Sequence, residues 1–226
     1  MATSSIDQFI NLQWNMKRKS DWLIPLGLIL LTIIPAIAGI IRIIGLSSNE
    51  EINTENERFH SSQIAVLIHI TSSLVFGLVG AFQFSKGFRS KNLNWHRNAG
   101  IVLILMGLGS AISGLYLTQI FPKLPTDGPT LYFVRLIVGF AMIICIAVSI
   151  RALLFHKFKI HGNWMTRAYA IGLGAGMQVV THLPWFIITG RSPSGLERDF
   201  AMTAGWIINI IFVEWRLSLS KRKNNS

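Results

Sequence analysis

Six apolar stretches divide this chain of 226 residues, over 22–46, 62–84, 99–121, 130–154, 164–189 and 201–219. Each is near the ~20 residues that an α-helix needs to cross ~30 Å of hydrocarbon. None has the period-2 alternation of a membrane barrel strand. The pattern therefore predicts an all-α polytopic membrane protein built as a bundle of six transmembrane helices. The connections are short, the longest lying at about 47–61, so residues 22–219 read as a single domain. A polar N-terminal arm (1–21) precedes it and a basic tail (220–226) follows it. Within the arm, Ile6, Phe9, Ile10 and Leu12 fall at helical spacing, which suggests an interfacial helix over 1–16. Pro25 and Pro35 are expected to bend the first helix, and Pro184 to loosen the fifth.

Charge gives the topology. Fifteen of the 21 Lys and Arg residues fall on one side of the spans, among them Lys17, Lys86, Arg97, Arg151, Arg167 and Arg216. Only Arg58, Lys123, Arg191 and Arg198 lie in the loops of the other side, where most of the carboxylates gather. The positive-inside rule then predicts that both termini are cytoplasmic. The net charge of +11 is dispersed over helix ends, which argues for lipid head-group contacts and against a nucleic-acid partner. The first apolar run is too long for a signal-peptide core and lacks a small-residue cleavage site, so it is read as a retained helix. The lone cysteine, Cys145, rules out an intramolecular disulfide and a cysteine-ligated cluster.

Polar residues inside the spans are the place to look for function, because they are costly in lipid and face the protein interior. Four of the six histidines qualify. His69 begins a face of the second helix that continues through Ser73, Phe76, Gly77, Gly80 and Gln83. His96 stands at the cytoplasmic start of the third helix, followed by Gly100, Gly107, Ser110 and Gly114. The fifth helix carries His161 near its cytoplasmic start and His182 near its outer end, within about 60° of one another around the axis. His69 and His182 are expected at one level, and His96 and His161 at another. Paired neutral imidazoles flanked by glycine are what a bis-histidine b-type haem requires. Arg97 and Arg167 inside, and Arg135 outside, would serve its carboxylates. The 21 residues between His161 and His182 place the two levels roughly 30 Å apart, which favours a single outer haem on His69 and His182. His60 and His156 read as solvated loop residues. A zinc triad of His96, His156 and His161 would sit in a basic loop that repels cations.

Other buried polar groups support a second kind of site. Gln178 and Thr181 lie beside His182, Arg135 lies inside the fourth helix, and Asn209 occupies the middle of the sixth. Together they suggest a carrier or a quinone- or lipid-binding centre. Glu214 reads as a proton relay or, more simply, as an ion-pair partner for Arg167 or Arg216. Trp95, Trp164, Trp185 and Trp215 fit an interfacial aromatic belt.

Four pieces of the chain carry a family likeness: Gly80-Ala81-Phe82-Gln83-Phe84, Trp95-His96-Arg97-Asn98-Ala99-Gly100, the run from His161 to Ala170 with its His-x-x-Trp-Met-x-Arg-x-Tyr-Ala pattern, and Asn209 with Glu214-Trp215. From about residue 62 to 217 the chain resembles the predicted bacterial membrane proteins called domain of unknown function 2306. The resemblance implies an all-helical protein integral to the bacterial cytoplasmic membrane. It draws attention to His69, His96, His161, Arg167 and Glu214, and brings no reaction with it. A fold-level likeness to transmembrane di-haem cytochromes rests on the paired histidines, although the spacing on the fifth helix departs from a compact two-haem stack.

Three classes of function stand at this point. One is an electron-transfer protein binding haem b through His69 and His182, with a second site at His96 and His161 and a quinone or membrane redox partner. Another is a small carrier or quinone- or lipid-binding protein. The third is a noncatalytic membrane subunit or assembly factor. The motifs Gly-x-Ser-x-Gly and His-Glu-x-x-His and a nucleotide-binding glycine loop are all missing, which argues against the common hydrolases and nucleotide enzymes.

Overall fold

A computed structural model of the chain describes residues 3–48 and 56–225. Among the described residues the protein is all-α. The helices are α1 (Thr3–Ser47), α2 (Glu57–His60), α3 (Gln63–Ala81), α4 (Lys86–Lys91), α5 (Leu93–Ile120), α6 (Leu131–Leu154), α7 (Phe158–Gly172), α8 (Gly174–Thr189) and α9 (Leu196–Asn225), with a 3-10 turn at Phe82–Phe84. The segments Asp21–Ser47, Gln63–Phe84, Leu93–Ile120, Leu131–Leu154 and Leu196–Ser220 are each long and apolar enough to cross a membrane. α7 and α8, bent by 47° to one another, meet the same test of length and apolarity when taken together, which gives five spans, or six with this pair as one. Large side chains such as Leu30, Ile64, Ile137, Ile187 and Phe200 are exposed along these helices, as expected of surfaces that face lipid. The end of the bundle that carries most of the Lys and Arg residues is called the basic end below.

Three helices begin earlier than the apolar windows indicate. α5, α7 and α9 start at Leu93, Phe158 and Leu196, each five or six residues ahead of the window start at 99, 164 and 201. Their first turns are polar, so hydropathy does not register them. Asn92 stands at the N-cap position of α5, and Glu197 and Asp199 occupy the first turn of α9, where carboxylates suit the positive end of the helix dipole. Residues 3–21 continue α1 as one helix and do not form a separate interfacial element. The side-chain faces of Ile6, Phe9, Ile10 and Leu12 lie outside what the structure describes, as does the loop segment 49–55.

The α7–α8 segment bends at Leu173, eleven residues before Pro184, the residue expected to loosen this helix. Pro184 sits inside a continuous α8. The break falls between Gly172 and Gly174, where close packing on both sides requires the absence of a Cβ. A methyl on Gly172 would meet Phe76 at 2.8 Å, one on Gly174 would run into the Trp206 indole, and one on Gly176 would run into the backbone carbonyl of Leu31. The core below the bend gathers Phe76, Leu103, Met142, Cys145, Ile146, Tyr169 and Leu173. α3 pairs with α5, α6 with α7, and α8 with α9. Small residues at helix contacts are the usual solution in a membrane, where tight packing replaces the hydrophobic drive.

Because the Leu31 carbonyl is backbone and cannot yield, Gly176→Val is expected to lower unfolding stability in detergent by about 1–3 kcal/mol. Gly27→Ala, with nothing within 4 Å of the new methyl, leaves thermal unfolding of the same preparation unimpaired.

Candidate functional site

At the basic end, the turn after α3 brings Gln83 against the first turn of α5. The Gln83 side-chain oxygen accepts a short hydrogen bond from His96 Nδ1, and Gln83 Nε2 reaches back to the His96 carbonyl at 3.5 Å. Ser149 near the end of α6 does the same for His161. Its hydroxyl donates to the His161 carbonyl at 3.1 Å and accepts from His161 Nδ1 at 2.7 Å. His96 lies within electrostatic reach of His161, Arg89 and Arg97. A Cβ on Gly100 or on Gly162 would meet nothing within 4 Å.

The membrane histidines of the other level are anchored in the same way. His69 Nδ1 donates to the Ser110 carbonyl at 3.0 Å, with the Ser113 hydroxyl at 3.2 Å, and its ring lies flat enough on α5 that a methyl on Gly114 would meet it at 3.1 Å. His182 Nδ1 donates to the carbonyl of Gln178, one turn back on its own helix, at 2.6 Å. In all four cases Nδ1 faces a carbonyl, amide or hydroxyl oxygen that accepts, which fixes the tautomer with the proton on Nδ1. Nε2 is then a bare lone pair, and none of the four has a hydrogen-bond partner at Nε2 among the described residues.

A cavity of about 700 Å³ opens at the end opposite the basic one. His69, Ser73 and Ser110 line it, with Gly39, Gly77, Gly114 and Gly172 in its walls and Gln178 and Trp206 on the far side. His182 does not line this cavity, so the structure does not bring His69 and His182 onto one space. The bend at Leu173 sets α8 at an angle to α7, and the His182 ring is turned to its own helix. At the mouth, Asp127 is gripped by Arg135 and Arg198, each at 2.8 Å. Asp199 pins the adjoining loop through Gly128 N at 2.8 Å, Thr130 N at 2.9 Å and Thr130 Oγ1 at 2.7 Å.

The remaining polar residues are engaged in packing. Arg167 makes a two-pronged pair with Glu214, at 2.5 and 2.8 Å, and its guanidinium lies 4.8 Å from the Trp164 ring centroid. Glu214 thus has the ion-pair partner expected of it, and Arg167 is committed to that carboxylate. Asn209 donates to the Ala170 carbonyl at 2.9 Å, Thr181 to the Ala201 carbonyl at 2.6 Å and Gln178 to the Met202 carbonyl at 3.3 Å. Of the suggested carrier centre, Gln178 and Arg135 line the cavity, whereas Thr181, His182 and Asn209 do not. His156 adopts a positive φ of 57° just beyond α6 and packs near Phe158. Among the described residues it joins no three-ligand group with His96 and His161. The orienting roles of Ser149, Ser110 and Asp127 have no signature in the sequence, since a serine or aspartate in an apolar or loop segment has many uses. Gln83 was visible on the His69 face, but its partner was not.

Comparison with known proteins finds two families. The family described as predicted membrane protein DUF2306 matches over residues 66–217. The family described as eukaryotic cytochrome b561 matches over residues 4–122, a stretch that contains His69 and His96. No curated protein and no solved structure matches.

The Asp127 carboxylate is almost fully buried while both arginines remain a quarter to a third exposed, so removing it leaves two poorly neutralised cations at the mouth. Asp127→Ala is expected to destabilise the protein by about 2 kcal/mol, below the ~3–5 kcal/mol of a fully buried pair because solvent screens the arginines. Denaturant unfolding of the variant beside Arg198→Gln/Asp127→Ala, which recovers part of the loss, checks the assignment.

Proposed function

The chain belongs to the DUF2306 family of predicted membrane proteins, and on that footing we propose that it is a b-type haem protein that passes electrons within the membrane, with His96 and His161 as its axial ligands. The likeness to eukaryotic cytochrome b561 supports the class of cofactor. The observation that carries the reading is the matched hydrogen bonding of two imidazoles at one end of the bundle, close enough to feel one another's charge. Each has its Nδ1 proton held by a protein oxygen, and each keeps the Nε2 lone pair that an iron requires.

The chain's own residues fit such a group. Gln83 and Ser149 hold the rings in place and fix their tautomers, a second layer of contacts that metal-binding histidines generally have. A Cβ on Gly100, one turn from His96, would meet nothing within 4 Å, so no side chain is packed on that face of α5. Arg89 and Arg97 supply positive charge near His96 for its carboxylates, whereas Arg167 is occupied by Glu214. When bound, the haem supplies a one-electron iron couple. His69 with His182 is the weaker pair, because His182 stands off the cavity into which His69 opens. The charge bias supports a basic end, and both termini, on the cytoplasmic side of a bacterial cytoplasmic membrane.

Protein purified in mild detergent after growth with ample haem precursor is expected to give a redox-responsive b-type spectrum. His96→Ala and His161→Ala each lose the Soret band, and added imidazole restores part of it, while His69→Ala and His182→Ala keep it. A folded protein without colour, or full haem in both the His96 and the His161 variant, sinks the assignment. For topology, an alkaline phosphatase fused after residue 226 is expected to be inactive and a fluorescent protein fused there to be bright. The reverse result would invert the orientation.

A further inference from the structure

The cavity opposite the basic end takes no part in holding a haem between His96 and His161. Its volume of about 700 Å³ suits a small molecule, and it is framed by α1, α3, α5, α6, α8 and α9 at membrane depth. His69 stands six residues into α3 from Gln63, about 9 Å along the axis from that end of the span. In this apolar setting the ring offers Nε2 as a pure acceptor, because the Ser110 carbonyl holds the Nδ1 proton. The neighbouring hydroxyls of Ser73 and Ser110 bond one another at 2.7 Å, and neither is bonded to Nε2. A bare acceptor in low dielectric calls for a ligand with an O–H. Gly77 and Gly114 in the adjoining wall are packed against Thr32 and the His69 ring, so the helices close tightly around the histidine and the space for a ligand is the cavity itself. At the mouth Arg135, Arg198 and Lys123 stand with the Asp127 carboxylate, and Asp199 is held against the adjoining Gly128–Thr130 loop.

We propose that this cavity binds a quinol, a membrane-borne aromatic diol, with one ring hydroxyl donating to His69 Nε2. The diol enters from the lipid and lies in the apolar part of the cavity, its O–H bond intact. Identifying the hydroxyl ligand as a quinol, and not another lipid alcohol, rests on the haem reading. Occupancy of the cavity through His69 does not.

The test is calorimetric titration of the protein in lipid nanodiscs, against empty nanodiscs, with a short-tailed benzoquinol kept reduced. Its dimethyl ether, which has the same ring and no O–H, and a long-chain alcohol are titrated alongside. The diol is expected to bind at least tenfold more tightly than either comparison compound, and His69→Ala, checked for an unchanged unfolding midpoint, is expected to lose at least tenfold of the diol affinity. Equal binding of diol and ether, or unchanged affinity in a folded His69→Ala, overturns the site. If that variant does not fold, the diol-to-ether ratio on the unaltered protein decides. Equal binding of the long-chain alcohol overturns the quinol identity. A colourless protein that still binds the diol through His69 removes the haem and keeps this site, and a coloured protein that does not bind it does the opposite.

Discussion

A polar group inside hydrocarbon has no water to fall back on, and the bundle is organised around protein partners that replace it, most densely along α7. The Tyr169 hydroxyl donates to the Gly77 carbonyl on α3 at 2.6 Å, Asn209 on α9 donates to the Ala170 carbonyl, His161 is tied to Ser149 on α6, and Arg167 grips Glu214 on α9. Within ten residues, α7 is thus fastened to three neighbours. Individual hydrogen bonds in membranes contribute only about 0.6–2 kcal/mol each. Their effect here is mainly one of register: they fix which turn of α7 meets which turn of its neighbours, and so where His161 stands relative to His96.

The same need for partners explains the state of the histidines. Each ring is turned so that Nδ1 finds an oxygen close by: His182 a carbonyl, His96 a side-chain amide, and His69 and His161 both a carbonyl and a serine hydroxyl. Side-chain partners are adjustable by substitution and carbonyl partners are not. Gln83, Ser149 and Ser113 are therefore the positions through which the sequence can tune these rings.

Much of this architecture was readable because crossing a bilayer demands long apolar helices, and hydropathy reports that demand directly. His69, His96, His161, Arg167 and Glu214 were also legible, since a polar side chain in an apolar run stands out. What escaped were relations between distant segments. Asp127 and Arg198 are 71 residues apart, and Ser149 differs in no visible way from any other serine in a helix. The bend at Leu173 was not legible, because proline is the local signal for a kink and none stands there. Pro184 is accommodated within α8, and the break follows instead from how closely α1, α3 and α9 approach three glycines, a fact of packing that one strand of sequence does not record.

The bent crossing runs beside a straight one. α9 faces α7 and α8 in antiparallel register, with Ala201 and Met202 opposite Thr181 and Gln178, Trp206 opposite Gly174, Asn209 opposite Ala170 and Glu214 opposite Arg167. A bow laid along a rod and tied at both limbs cannot straighten without sliding its ties. α9 is therefore a splint, and the elbow at Leu173 is a set shape, not a hinge. Trp206 is the wedge under that elbow, and because its indole also forms part of the cavity wall, the room inside the bundle is fixed by the angle that α9 enforces.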